Sequence, residues 1–162
     1  MLPALNPNSM IPPAALSRRR TLNSIAALAA IGIVISSISL QHHYSTAKSS
    51  FCDFSATVNC DIVNRSIYSQ VFGVPVALIG AMGYSLLLIL AVSQKRAASE
   101  WILSRARILL AVASMGLAFA LYLTYVEGFI LGVWCVLCLS SLFIILAVTS
   151  LSGWLVSKSR TL

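Results

Sequence analysis

Four long apolar stretches, none of which contains a charged residue, dominate the sequence. They cover residues 21–40, 71–92, 108–126 and 129–151. A helix crosses the roughly 30 Å hydrocarbon core of a bilayer with about 20 residues, because it rises about 1.5 Å per residue. The pattern therefore predicts an all-α membrane protein in which four transmembrane helices form one bundle.

The sequence divides into a membrane domain and a tail at each end. Residues 1–20 are proline-rich and lack a periodic apolar pattern, which predicts a flexible tail. Residues 157–162 are expected to form a short C-terminal tail. The membrane domain covers residues 21–156. A secretory signal, cleaved near residues 45–47, is the competing interpretation of the first span. The length of residues 21–40 favours an anchor, since a signal core usually has about 7–15 apolar residues.

The connections between the spans are short, with one exception. Residues 41–70 form a polar loop, in which Asp61 is the predicted N-cap of a short helix lying along the membrane surface. The Glu-Gly pair at 127–128 predicts a tight turn between the last two spans. Gly80 and Gly83, both in the second span, predict close packing against another helix.

Composition supports a membrane protein and argues against a nucleic-acid-binding one. Of the 162 residues, 59% are hydrophobic and only 9% are charged, and the mean hydropathy is +0.92. Such a chain is too apolar for an ordinary soluble domain. The net charge of +7 comes from small basic clusters that flank the spans. That distribution is typical of membrane topology rather than of a nucleic-acid-binding face.

The basic residues predict an orientation, because Lys and Arg concentrate on the cytoplasmic side of membrane proteins. With four spans, one side carries Arg18, Arg19, Arg20, Lys95, Arg96, Arg105, Arg107, Lys158 and Arg160. The other side carries only Lys48 and Arg65. Both termini are therefore predicted to be cytoplasmic, with the 41–70 loop outside.

The four cysteines are the candidate chemistry, and this orientation places all of them on or near the oxidising face. Cys135 and Cys138 are one helical turn apart at the start of the last span, whereas Cys52 and Cys60 lie in the polar loop. Electrons pass between two such pairs only if a mobile segment brings a thiol to the other disulfide. A membrane quinone suits the final two-electron step in both solubility and electron count.

Two other interpretations of the cysteines remain open at this point. Structural disulfides are common on an extracytoplasmic face, but a bond between Cys135 and Cys138 closes a very small loop and stabilises little. A metal site built from the cysteines, with His42 and His43, competes with oxidation outside the cytoplasm. We therefore expect no metal.

The ordered motifs resemble the vitamin K epoxide reductase family. They are Cys52-Asp53, Cys60, Ser66, Phe72-Gly73-Val74-Pro75, Tyr84 and Cys135-Val136-Leu137-Cys138. The resemblance covers roughly residues 21–151. It implies a membrane oxidoreductase with a four-helix bundle around a quinone, either ubiquinone or menaquinone, and a short horizontal helix on the outer side.

The resemblance also implies roles for the cysteines. Cys135 and Cys138 are expected to be the active-site pair, with Cys138 nearest the quinone and Cys135 exchanging with Cys60. Cys52 is expected to meet the external thiol substrate.

Two further residues acquire expected roles in the same way. Ser66 is expected to support the quinone pocket. Asp53 is expected to assist transfer between the loop cysteines, with a solvated loop carboxylate as the equal alternative.

Two departures from the family pattern shape the expected function. Val76 and Leu142 stand where animal members hold vitamin K with an asparagine and a tyrosine, which argues against epoxide reduction. The chain ends at Leu162 without the thioredoxin-like domain of many bacterial members. The expectation is a bacterial inner-membrane thiol:quinone oxidoreductase that reoxidises a separate periplasmic thioredoxin-like (DsbA-like) protein and so supports disulfide bond formation.

Four other functions remain as alternatives. They are quinone or vitamin K epoxide reduction, a non-enzymatic membrane protein with structural disulfides, a metal-binding protein, and a DsbB-type enzyme. In the DsbB type the order of the two cysteine pairs is reversed.

Overall fold

The computed structural model describes residues 13–45, 53–55, 57–94 and 101–160. Four helices in these ranges are long and apolar enough to cross a membrane, which confirms the predicted all-α membrane fold. The long helices are α1 (Pro13–Tyr44), α3 (Val76–Gln94), α4 (Ile102–Tyr125) and α5 (Val136–Arg160), and α4 continues into a π-helical segment, Val126–Leu131. Between α1 and α3 lie β1 (Asp53–Ser55), β2 (Val58–Asn59), α2 (Cys60–Asn64), a 3₁₀ turn (Ile67–Ser69), β3 (Gln70–Val71) and β4 (Val74–Pro75).

The first helix begins at Pro13, within the segment that the sequence predicts as a tail. Proline is favourable at a first helical position, because its missing N–H has no helical partner there and its fixed φ matches the helix. Residues 1–12 lie outside the described part of the chain. The apolar helix available to cross the membrane runs from Ala15 to Tyr44, longer than the predicted 21–40.

The four long helices form a closed ring around one apolar core. α1 packs most extensively on α3 and α4 on α5, and the pairs α1–α5 and α3–α4 complete the ring. The most deeply buried core positions combine large and small residues: Leu22, Ile25, Ala29, Leu87, Ala91, Ala106, Leu109, Ala113, Val148 and Leu155. The alanines allow helix backbones to approach closely, as expected in a membrane bundle.

The predicted packing role of the two glycines in the second span holds for one of them. A side chain at Gly80 would meet the Ser36 hydroxyl on α1 at 3.0 Å. At Gly83 it would meet nothing within 4 Å, because this glycine borders a cavity. Gly32 on α1 approaches α3 more closely than either of these glycines approaches its neighbours, since an added Cβ would lie 2.5 Å from the Tyr84 ring.

The loop helix α2 is capped by Asn59, and the predicted cap at Asp61 is wrong. The Asn59 side-chain oxygen accepts hydrogen bonds from the backbone N–H groups of Asp61 and Ile62, at 2.9 and 3.1 Å. Asn59 has the extended backbone that an N-cap requires, and asparagine and aspartate cap helices about equally well. The helix therefore begins one residue after Asn59, at Cys60.

Backbone pairing joins the cysteine loop to the segment just before α5. Val58 and Trp134 form a parallel β-bridge. Within it the Trp134 N–H donates to the Thr57 carbonyl at 2.9 Å, and the Asn59 N–H donates to the Trp134 carbonyl at 3.1 Å. The loop is thereby fixed over one end of the bundle.

The predicted turn at residues 127–128 is wrong, because the helix continues through both residues as the π-helical segment. The chain reverses only at Gly132, whose φ of 64° is the left-handed conformation that favours glycine at a helix end. Gly128 serves close packing: a Cβ there would lie 2.9 Å from the Trp134 ring. As a result Glu127 lies in the protein interior rather than in a surface turn.

Candidate functional site

Three of the four cysteines lie in the described residues, and all three belong to one buried cluster at the loop end of the bundle. Cys60 and Cys135 are 0% exposed, and the half-buried Cys138 packs against the same cluster. Cys60 is disulfide-bonded, whereas Cys135 and Cys138 are free thiols. Cys52 lies outside the described residues, as does the Asp53 side chain. The structure thus combines an oxidised loop cysteine with a reduced membrane pair.

Local structure brings Cys60 and Cys135 into this cluster. Cys60 directly follows Asn59, and Cys135 directly follows Trp134, so each cysteine adjoins a residue of the loop bridge. Val63, on the buried side of α2, and Val133 shield the two sulfurs from water. The bridge therefore holds the Cys60 segment against the residue that begins the Cys-x-x-Cys motif.

The two free thiols differ in their surroundings. Cys135 lies just before α5, and Cys138 lies in the first turn of this helix. The hydrogen bond from the Cys138 thiol lowers the pKa of the Cys135 thiol, and this effect exceeds the opposing effect of burial. Because a thiolate is the reactive species, the pair is arranged so that Cys135 ionises more readily than an ordinary cysteine.

Glu127 is a buried carboxylate beside this pair that the sequence pattern did not reveal. It is 2% exposed, and its Oε2 accepts a hydrogen bond from the Cys135 backbone N–H at 3.1 Å. One of its carboxylate oxygens and the sulfurs of Cys135 and Cys138 all lie within 4.8 Å of one another. A Glu-Gly pair resembles a surface turn, so only the continued helix shows that Glu127 belongs to the site.

A cavity of about 480 Å³ opens between the helices next to the thiol pair. Cys138 and Glu127 form part of its wall, whereas Cys135 does not. Most of the lining is apolar, with contributions from Ile35, Pro75, Val76, Ile79, Leu87, Val112, Phe119, Leu123, Leu131 and Ile145. The volume is in the range of small-molecule sites, and the lining suits an apolar ring with a lipid tail.

Asn64 supplies a polar group to this cavity. Its side chain is 7% exposed, and its Oδ1 accepts a hydrogen bond from the Ser39 hydroxyl at 2.9 Å. Its Nδ2 is buried without a hydrogen-bond partner in the described part of the protein. His43 fixes the same residue, since its Nδ1 lies 2.6 Å from the Asn64 carbonyl oxygen and therefore donates to it. Asn64 thus lines the cavity and carries a buried amide donor that has no partner in the described residues.

Ser66 also lines the cavity, but its hydroxyl is already used within the loop. It donates to the Val63 carbonyl at 2.8 Å, and the Ser66 carbonyl accepts from the Ser69 hydroxyl at 2.7 Å. On the opposite wall the Tyr84 hydroxyl donates to the Ser141 carbonyl at 2.9 Å. The Ser66 hydrogen bonds lie within the loop, whereas the Tyr84 hydrogen bond joins α3 to α5.

A metal site with four cysteine ligands is not assembled in this structure, because Cys60 is disulfide-bonded. His43 hydrogen-bonds with Asn64 and with the Gln70 amide at 3.1 Å, so both of its ring nitrogens are engaged. The absence of a metal cofactor remains a prediction.

A four-helix membrane bundle with a dithiol against an apolar cavity defines a membrane redox protein. The model of the Vitamin K epoxide reductase family matches residues 23–153, most of the chain. The chain therefore belongs to the vitamin K epoxide reductase family, and it is a multi-pass membrane oxidoreductase of that type. A search of curated proteins finds no significant match.

Proposed function

We propose that the protein is a thiol:quinone oxidoreductase in which electrons pass from the loop cysteines to the membrane pair and then to a quinone. An external dithiol reduces a Cys52–Cys60 disulfide. Cys60 then attacks Cys135 of a Cys135–Cys138 disulfide, which forms a transient Cys60–Cys135 bond and releases Cys138. Cys52 resolves this bond, and the reduced membrane pair transfers two electrons to the quinone.

One observation carries this proposal. Cys135 is buried in the cluster that contains Cys60 and does not line the cavity, whereas Cys138 lines the cavity. Cys135 therefore lies with the loop cysteine that donates electrons, and Cys138 lies at the cavity proposed for the quinone that accepts them. A purely structural disulfide would not require an apolar cavity at its side.

The cavity supports a quinone as the acceptor. Its apolar wall suits the ring and tail of ubiquinone or menaquinone, and the Asn64 amide is a donor available to a quinone carbonyl oxygen. Val76 lines the cavity with an apolar side chain where the animal pattern has an amide. In the proposed enzyme the Asn64 amide, at the end of α2, donates to the quinone in place of the amide that the animal pattern has at the Val76 position.

The direction of electron flow follows from reduction potentials. Disulfide formation at the expense of the quinone is downhill when the quinone couple has the higher potential, and about 30 mV corresponds to 1.4 kcal/mol for two electrons.

Partner and location form part of the same proposal. The electron donor is a periplasmic thioredoxin-like, DsbA-like protein, and the membrane is the bacterial inner membrane with both chain termini in the cytoplasm. The distribution of Lys and Arg supports this orientation. The proposed layout is a membrane domain, residues 21–156, with cytoplasmic segments at both ends into which α1 and α5 extend.

A coupled assay tests the proposed function. Purified protein receives a reduced thioredoxin-like protein and ubiquinone-1, and quinone absorbance reports the turnover. Wild type is expected to form quinol, and Cys138→Ala is expected to abolish turnover because it removes the thiol at the cavity. Unchanged turnover in Cys138→Ala would refute the proposed relay.

A further inference from the structure

Glu127 is the only carboxylate among the described residues that line the cavity. Its Oε2 is used by the Cys135 backbone N–H, but its Oε1 is buried and has no hydrogen-bond partner in the described ranges. Burial of a carboxylate oxygen without a partner costs free energy, so such groups are uncommon in structural roles. The hydrogen bond to the Cys135 N–H accounts for the burial of Oε2, but no contact in the described ranges accounts for the burial of Oε1.

Backbone hydrogen bonds hold the segment that carries this carboxylate. The Glu127 carbonyl accepts hydrogen bonds from the N–H groups of Gly132 and Val133, the latter at 3.2 Å. Glu127 itself lies in the π-helical segment, a helix distortion that is frequent at functional sites. These hydrogen bonds connect the Glu127 backbone to the residues at and after the chain reversal at Gly132.

The position of Glu127 joins the reacting thiol to the cavity. Its carboxylate lies within 4.8 Å of the Cys138 sulfur, and both residues line the cavity. The other titratable side chains of this wall are His43, Tyr68 and Tyr84. His43 hydrogen-bonds with the Asn64 carbonyl and the Tyr84 hydroxyl with Ser141, and no Lys or Arg in the described residues lines the cavity.

We infer that Glu127 transfers protons from the thiol pair to the quinone, a role that rests on the proposed function. Oxidation of the dithiol forms one S–S bond and releases two electrons and two protons, and the quinone takes up both pairs to become quinol. Glu127 accepts the Cys138 proton, which leaves the nucleophilic thiolate, and donates it to a quinone oxygen. The Cys135 proton follows through the same carboxylate, so Glu127 ends each cycle ionised.

A single-turnover experiment on the full chain tests this role without the protein partner. Fully reduced protein is mixed with ubiquinone-1, quinone absorbance gives the rate, and peptide mapping follows formation of the Cys135–Cys138 disulfide. Glu127→Gln retains the size of the side chain and an oxygen acceptor for the Cys135 N–H, but it cannot carry a proton. Gln94→Met, at a buried polar residue of α3 that does not line the cavity, is the matched control.

The expected result has two parts. General acid–base groups contribute about 10²- to 10⁴-fold, so Glu127→Gln should slow the single turnover by about 10²-fold or more while ubiquinone-1 affinity stays within about threefold. The wild-type rate should also fall at low pH, where the Glu127 carboxylate becomes protonated. This acidic limb of the pH–rate profile should be absent in Glu127→Gln. Gln94→Met should retain both the rate and the limb.

Other outcomes overturn the inference. An unchanged rate in Glu127→Gln, or a uniform slowing that keeps the acidic limb, would show that Glu127 only positions Cys135. If Glu127→Gln does not fold, Glu127→Asp provides the test: it should be slower with the limb retained, and a wild-type rate would overturn the role. Wild-type protein that forms neither quinol nor the Cys135–Cys138 disulfide would refute the proposed function itself, and this inference with it.

Discussion

Replacement of Asn64 by leucine is expected to weaken quinone binding with little loss of stability. In the free protein the Asn64 Nδ2 is buried without a partner in the described ranges, and such a group destabilises a fold by about 1–3 kcal/mol. Asn64→Leu removes that group and also the hydrogen bond from Ser39, which contributes about 0.5–1.5 kcal/mol. The two effects oppose each other, so the melting temperature should change little.

The bound state responds differently, because leucine cannot donate to a quinone carbonyl. Loss of one hydrogen bond of about 0.5–1.5 kcal/mol corresponds to a roughly 2- to 12-fold higher Kd. Asn64→Asp should weaken binding further, since an ionised carboxylate would face the carbonyl oxygen. Titration of each variant with ubiquinone-1, followed by tryptophan fluorescence, measures the Kd.

Gln41→Leu is the matched control, because Gln41 is an exposed amide that does not line the cavity. It should leave the Kd unchanged. A Kd for Asn64→Leu equal to or lower than that of wild type would show that the Asn64 amide does not bind the quinone.

Three further predictions concern the cavity, the loop and the thiol pair. Gly83→Leu should raise the KM for ubiquinone-1 at nearly wild-type stability, since a Cβ added at Gly83 meets no atoms within 4 Å and Gly83 lines the cavity. Asn59→Ala should destabilise the α2 loop by about 0.5–2 kcal/mol and slow electron transfer from the external dithiol, because it removes the helix cap. Cys138→Ala should raise the pKa of Cys135, so that modification of Cys135 by methyl methanethiosulfonate requires a higher pH than in wild type.

Each of these predictions has a control. Gly153→Leu also has open space but lies outside the cavity lining, and an equal KM increase there would contradict the assignment of the cavity. Pre-reduced Asn59→Ala should still reduce quinone at the wild-type rate, and a slowed rate would show that α2 supports the membrane pair directly. An unchanged pH dependence in Cys138→Ala would contradict the thiol–thiol hydrogen bond.

The bundle was predictable from sequence because a membrane span is a property of a single continuous segment. An uncharged stretch of about 20 residues is sufficient to indicate a helix in the bilayer, and the Cys-x-x-Cys spacing is sufficient to place two thiols on one helical turn. The family was likewise visible in ordered motifs along the chain, and the match over residues 23–153 confirms it.

The parts that were missed depend on contacts between distant segments. Glu127 belongs to the site only because the helix passes through Gly128, and that path depends on Trp134 packing over the glycine. Asn64 becomes a pocket residue because Ser39, on another helix, orients its amide. Neither contact leaves a periodic pattern in the sequence.

Selective disulfide formation between Cys60 and Cys135 tests the proposed relay between the loop cysteines and the membrane pair. The Cys52→Ala/Cys138→Ala double variant retains only these two thiols, and peptide mapping after mild oxidation reports whether they join. The account predicts nearly complete intramolecular Cys60–Cys135 bonding, and little bonding of Cys60 to Cys138 in the matched Cys52→Ala/Cys135→Ala variant. Failure of Cys60 to join Cys135, or equal bonding in both variants, would contradict the relay.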